Sequence, residues 1–136
     1  MPNEFDAIAR VTDAKYEFEL AKMQRIAAQE AQLREAIQTL EAQAKDAVVL
    51  SAQVAGMPAL GADQVWRTWL LERRKTCQME LALILAEKSE AKNRLATAFG
   101  RANVAEALRS DAETQAKLAR SQKDMSTLND RMAWRR

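Results

Sequence analysis

The sequence has 136 residues, which suits a single domain. It carries 21 Lys and Arg, 19 Asp and Glu, one Cys and no His, and it has 27 Ala against 3 Gly and 2 Pro. Without His there is no Ser-His-Asp triad, Cys-His dyad or His-ligated zinc, and one Cys excludes a disulfide framework within the chain. The composition predicts a helix-rich interaction protein that is not an enzyme and needs no cofactor or metal.

The distribution of charge predicts how the helices pair, and the apolar segments and the single Cys predict where the protein is located. Residues 1–60 hold 9 acidic and 6 basic side chains, whereas residues 61–136 hold 10 acidic and 15 basic. This asymmetry favours an antiparallel pair of helices, although scattered solvated charge is the alternative. The first six residues have no basic start and no apolar run, so no signal peptide is expected, and the longest uncharged run, 47–62, is expected to be too short and too broken to span a membrane. Together with the single unpaired Cys, this predicts a cytoplasmic protein.

The helix-breaking residues cluster at one place, between Gly56 and Gly61. The sequence therefore predicts one domain, residues 1–136, that is all-α: a long antiparallel two-helix coiled-coil hairpin with a longer second helix. Helix 1 is expected at about 4–55, the loop at 56–62 and helix 2 at about 63–134. Asn3 is expected to cap helix 1 and Asp63 to cap helix 2.

Residues at alternating spacings of three and four define the predicted contact seam between the two helices. On helix 2 it runs from Leu70 to Ala105 and includes Cys77, which we expect to be buried rather than reactive. After Ala105 the apolar pattern shifts by one residue, to a stripe through Leu108, Gln115, Leu118, Gln122, Met125 and Met132. On helix 1 the seam extends back from Val54 to Phe5. Four apolar residues near the start of helix 1 do not lie on this seam: Ile8, Val11, Phe18 and Leu20. The first turns are therefore expected to be less regular or to contact something else.

The strongest local signal for function lies at the start of helix 2. Trp66 and Trp69 are three residues apart and share a helix face, which Leu70 and Arg73 extend, and Arg74 lies nearby. Tryptophan and arginine dominate interface hot spots, so this segment is a candidate partner surface. Alternatively, the indoles cover the loop and the end of helix 1, or one packs inward while the other stays exposed.

Basic side chains interleaved with aromatics also permit nucleic-acid binding. The basic cluster is short, Glu72 interrupts it, and the net charge of +2 is nearly balanced. These features disfavour a nucleic-acid partner, because committed nucleic-acid binders carry a larger basic excess.

In layout, the sequence resembles the FliJ/YscO-like proteins of type III (flagellar) export machines over essentially its whole length. The local match is Gly61-Ala62-Asp63-Gln64-Val65-Trp66-Arg67-Thr68-Trp69-Leu70. By similarity, Trp66 would hold the aromatic position of that family, and Trp69 and Leu70 the apolar positions that follow it.

This resemblance implies a component that couples the hexameric export ATPase to the export gate and escorts export chaperones, without an active site or a small-molecule substrate. It implies a cytoplasmic location, peripheral to the membrane-embedded machine. The residues expected on the ATPase side are Phe5, Ile8, Val11, Met125 and Met132. Those expected on the gate side are Trp66, Trp69, Leu70, Arg73 and Arg74.

Two other functions remain open from the residues alone. The first is a structural or scaffolding coiled coil of a phage particle or cell assembly, which an exposed apolar stripe or self-association would favour. The second is a nucleic-acid-binding helical hairpin, for which salt-sensitive binding to DNA or RNA would be diagnostic.

Overall fold

The computed structural model describes residues 3–53 and 61–135, which form two α-helices. Helix α1 spans Asp6–Gln53 and helix α2 spans Ala62–Trp134. The chain is an all-α helical hairpin with a longer second helix, as predicted. Most of the predicted loop at 56–62 lies outside the described residues.

Each helix contributes to two compact units. Unit 1 comprises Met1–Leu20 and Arg94–Arg136, and unit 2 comprises Ala21–Asn93. Ion pairs and ring contacts show that the helices are antiparallel within each unit. In unit 2, Glu30 pairs with Lys88 and Glu41 with Arg74, so residues further along α1 meet residues earlier in α2. In unit 1, the corresponding contacts join Asp6 to Arg109 and Tyr16 to Phe99.

The start of α1 confirms the predicted Asn3 cap. The Asn3 Oδ1 atom accepts a hydrogen bond from the Phe5 backbone N–H at 2.8 Å, and the Asp6 Oδ2 atom accepts one from the Asn3 N–H at 2.7 Å. This reciprocal arrangement satisfies N–H groups that the helix leaves without intrahelical partners. The Asn3 side chain also donates to the Arg109 carbonyl at 3.1 Å, which ties the cap to α2 within unit 1.

The start of α2 differs from the prediction. Asp63 was expected to cap this helix, but the helix begins at Ala62, so Asp63 lies within its first turn. Gly61 precedes the helix with a φ of 69°, and its carbonyl accepts a hydrogen bond from the Val65 N–H at 3.2 Å. A positive φ suits glycine because it has no Cβ, so the chain enters the helix at Gly61.

Unit 2 has a core of large apolar side chains. Leu40, Leu70 and Cys77 form a buried cluster, against which Ala36, Ile37 and Ala44 pack. The burial of Cys77 confirms the sequence prediction. Leu70 is only 2% exposed, which makes it the best-buried large residue in the described part of the chain.

Unit 1 has a core of alanines. The buried apolar residues of this unit are Ala9, Ala98, Ala102 and Ala105. Small side chains at these positions let the helix axes approach closely, but each buries little apolar area. The Tyr16 and Phe99 rings add a tilted contact between the helices, with centroids 5.6 Å apart.

On α1 the partly or fully buried positions begin at Phe5 and recur at the predicted spacing of three and four. Of the two alternatives for the first turns, irregular packing is therefore wrong, and contact with something else stays a prediction. On α2 the buried positions continue past Ala105 to Arg109 and Ala112, so the seam does not shift there. The apolar stripe that begins at Leu108 is real but exposed, and it lies one residue before the seam. Position Ser51 of the predicted seam has no described side chain, and Val54 lies outside the described residues.

Candidate protein-binding surfaces

The described residues offer surfaces rather than an enclosed site. Within 3–53 and 61–135 there is no cluster of three or more His, Cys, Asp or Glu able to hold a metal ion. In the same ranges, neither helix has an apolar stretch long enough to cross a membrane.

Trp66 and Trp69 of unit 2 form a stacked pair on the surface of α2, which we call the Trp pair. Their ring centroids are 5.2 Å apart with an interplanar angle of 11°, and they are 44% and 52% exposed. The expectation that one indole packs inward is therefore wrong. Val49 and Leu50 are also exposed, so the indoles do not bury the end of α1. Two stacked indoles present a broad apolar surface that already has a fixed shape, which lowers the entropy lost on binding.

The other residues expected on this surface take different positions. Leu70 lies in the core between the helices and is 2% exposed, so its side chain has almost no surface to offer a partner. Arg73 is exposed beside the pair. Arg74 lies on the seam and its Nη2 atom is 2.9 Å from Glu41 Oε1 on α1. Of the three, Arg73 is the residue best placed to contact a partner.

Unit 1 presents large apolar side chains outside its alanine core. Ile8, Val11 and Phe18 recur on one exposed face of α1, one residue before each seam position. Val104 and Leu108 hold the same relation to the seam on α2. We call these five residues the apolar flank of unit 1. The three α1 residues were predicted to lie off the seam, whereas the contribution of α2 to the same surface was not predicted.

An open groove runs along this apolar flank. Ile8 and Thr12 of α1 line it together with Thr97, Gly100, Arg101 and Val104 of α2. A Cβ atom added at Gly100 would meet nothing within 4 Å, so the groove is unfilled at that point. Its walls are large apolar side chains, and its base is made of small ones.

Beyond α1, the last turns of α2 have no packing partner among the described residues. Every residue from Glu113 to Arg135 is exposed. Leu118, Met125 and Met132 lie here, each seven residues after the last, and they continue the apolar stripe that begins at Leu108. Of the residues expected on the ATPase side, Ile8, Val11, Met125 and Met132 are exposed, whereas Phe5 is partly buried on the seam.

The opposite flank of unit 1 is acidic and is organised by Arg109. The Arg109 guanidinium lies 2.6 Å from Glu106, 3.4 Å from Glu113 and 3.9 Å from Asp6. Hydrogen bonds from Arg109 lower the pKa of Glu106 below its usual range. Asp13 lines the same side. We call Asp6, Asp13, Glu106 and Glu113 the acidic flank of unit 1.

Two carboxylates on the contact seam, those of Glu30 and Glu19, differ in how many of their oxygens have hydrogen-bond partners. In unit 2, Glu30 accepts hydrogen bonds from Lys88 at 2.8 Å and Arg34 at 3.2 Å, and these bonds lower its pKa. In unit 1, Glu19 is 3% exposed; one oxygen pairs with Lys15 at 3.0 Å, but Oε2 has no hydrogen-bond partner among the described residues. Burial of an unsatisfied carboxylate oxygen is costly, so Glu19 weakens the packing of unit 1.

Comparison with known proteins adds no relationship to these observations. No known protein family, curated protein or solved structure matches this chain.

Proposed function

We propose that this protein is a non-enzymatic docking protein that binds other proteins through two surfaces, the Trp pair in unit 2 and the apolar flank in unit 1. The observation that carries the proposal is the inverted distribution of apolar residues in unit 1. Alanines fill its core, while Ile8, Val104 and Leu108 face solvent. Clustered large apolar side chains on a surface mark interaction sites.

The particular form that we propose is a component of a type III or flagellar export apparatus. It would couple the export ATPase ring to the export gate, escort export chaperones, and work in the cytoplasm at the periphery of the membrane-embedded machine. The support is the hairpin with its longer second helix, together with exposure of Met125 and Met132 for the ATPase and of Trp66, Trp69 and Arg73 for the gate.

The ATPase side is tested with the purified export ATPase from the same source. We expect saturable binding and stimulation of ATP hydrolysis by the full chain, and loss of both in a Met125→Asp, Met132→Asp double variant. Met79→Asp is the matched control, because Met79 is equally exposed but lies in unit 2. Absence of binding by a helical sample, or equal loss in the control, would refute the ATPase role.

The gate side is tested with the cytoplasmic domain of the export gate. We expect Trp66→Ala combined with Arg73→Glu to weaken binding at least about tenfold, as is typical of hot-spot residues. Arg74 is left intact because its loss would break the pair with Glu41. Val65→Ala, an exposed neighbour, is the control. Unchanged affinity in the double variant would show that the gate, if bound, contacts another surface.

A scaffolding coiled coil is a second candidate, favoured by the same exposed apolar flank. Such a protein would associate with itself, so sedimentation equilibrium of the full chain separates the two functions. A concentration-dependent oligomer without affinity for the ATPase would favour scaffolding. Nucleic-acid binding is disfavoured, because Arg74 of the basic cluster forms an ion pair with Glu41.

A further inference from the structure

We propose that the groove on the apolar flank of unit 1 binds an amphipathic α-helix of a partner protein that carries acidic residues beside its apolar face. This inference rests on the proposed docking role and specifies the chemistry of the partner. It does not require the partner to be an export ATPase.

The shape of the groove fits a third helix. Two antiparallel helices leave a shallow valley on each side of their seam, and an apolar helix packs there by placing its side chains between those of the pair. In this valley Ile8, Val104 and Leu108 form apolar walls, while Thr97 and Gly100 leave space between them. Leu118 continues the apolar line along α2, so the partner helix has contacts beyond the groove itself.

Charge determines which kind of helix fits. Arg101 is the charged residue among those that line the groove. Lys15 lies nearby on α1 with its ammonium 5.2 Å from the Phe18 ring, but it is paired with Glu19 at 3.0 Å. The four residues of the acidic flank lie on the other side of the seam, and Asp111 lies beyond the groove, three residues after Leu108. A helix docked in the groove therefore meets the positive charge of Arg101, which favours Glu or Asp beside it.

Charge also disfavours a second copy of this chain as the occupant. The exposed end of α2 is the apolar helix that another copy would offer. Residues 113–136 contain 3 acidic and 6 basic side chains, a net charge of +3. That segment would bring like charge to Arg101, which is unfavourable across an interface.

A pair of designed peptides tests the proposal directly. Both are three-heptad helices with Leu at the a and d positions; one has Glu at e and g, the other has Lys there, and like charges keep each peptide from pairing with itself. Binding to the full chain is measured by fluorescence anisotropy. We expect the Glu peptide to bind at least about tenfold more tightly than the Lys peptide, with an affinity that falls as salt is raised.

Variants within the groove locate the binding. Gly100→Phe should fill the groove and abolish binding of the Glu peptide, whereas Gly100→Ala should retain it, because a Cβ at this position meets no neighbouring atom. Val104→Asp should also abolish binding, and Met79→Asp in unit 2 should not. Arg101→Glu should reduce or reverse the preference for the Glu peptide. Circular dichroism of each variant confirms that the helices remain folded.

Several outcomes would overturn the inference. They are equal binding of the two peptides, no binding up to about 200 μM, and binding unaffected by both Gly100→Phe and Val104→Asp. A wild-type dimer that Val104→Asp dissociates would make a second copy the occupant. Binding of the export ATPase without Glu-peptide selectivity would refute this inference alone, and the reverse result would refute the export role alone.

Discussion

The two units bury different kinds of side chain between their helices. Unit 2 buries Ile26, Leu40, Leu70 and Cys77 between its helices, whereas the fully buried apolar residues of unit 1 are all alanine. Unit 1 places large apolar residues on its flank instead, and it buries the partly unsatisfied Glu19. Burial of each methylene group contributes about 0.8 kcal/mol, so each large side chain buried in unit 2 contributes more than a buried alanine of unit 1.

This difference affects how each unit can respond to a partner. Unit 2 buries large apolar side chains in its own core, while unit 1 leaves large apolar side chains exposed, where a partner can cover them. A partner that covers the apolar flank would add to unit 1 the burial that its own core lacks, and would therefore stabilise the folded state by mass action.

The largest effect is expected in the core of unit 2. Leu70→Ala removes the best-buried large side chain and should lower the free energy of unfolding by about 2–4 kcal/mol, measured by urea denaturation. Leu71→Ala, at the neighbouring exposed position, should change it by less than about 0.5 kcal/mol. Similar losses for both variants would mean that the core of unit 2 does not hold the hairpin together.

The core of unit 1 should be destabilised by a larger side chain, whereas the core of unit 2 is destabilised by a smaller one. Ala102→Leu inserts a large side chain between closely approaching helices and should cost about 1–3 kcal/mol, because the helices must move apart. Ala107→Leu on the exposed face of α2 is the matched control and should be nearly neutral. If Ala102→Leu raised the melting temperature, the alanine core would be underpacked rather than close-packed.

A smaller gain is expected at Gly100. This residue lies inside α2 with open space around it, so Gly100→Ala should raise the free energy of unfolding by about 0.5–1 kcal/mol through helix propensity alone. Thermal denaturation followed by circular dichroism measures the shift. A destabilised variant would show that α2 needs glycine at this position for a bend or a close contact.

The smallest effect is a dependence of stability on pH that arises in unit 2. The hydrogen bonds from Lys88 and Arg34 lower the pKa of Glu30 below its usual value of 4.5 in the folded chain. The folded pKa lies below the unfolded one, so this contribution is complete above about pH 4.5 and is lost as the pH falls through the folded value. Glu30→Gln should reduce the fall in melting temperature as the pH is lowered from about 4.5 through the folded pKa of Glu30. Glu35→Gln, an exposed control, should leave that fall unchanged.

Sequence reasoning predicted the seam well where spacing carries the information. The positions from Leu70 to Ala105 on α2, and those from Phe5 to Ala47 on α1, are the positions that the structure buries wholly or partly. This success follows from the geometry of paired helices, in which a repeat of three and four residues fixes the contacting face whether it holds Leu, Ala or Glu.

The same reasoning failed where hydrophobicity and position disagree. In unit 1 several large residues, such as Val11 and Leu108, lie one residue before the seam, while small or charged ones, such as Ala105 and Arg109, lie on it. An interpretation that takes large apolar residues as markers of the core therefore sees a shifted stripe. The stacking of Trp66 on Trp69 was equally beyond prediction, since spacing places both on one face but does not say what covers them.

The buried thiol gives this chain an internal reporter. Cys77 is the sole cysteine of the sequence, and its side chain is enclosed between α1 and α2 in unit 2. A thiol-reactive dye can modify it only when the helices separate there, so the labelling rate under native conditions measures how often that part of the hairpin opens. The wild-type protein can thus report the opening of unit 2, before and after a partner binds, without any engineered label.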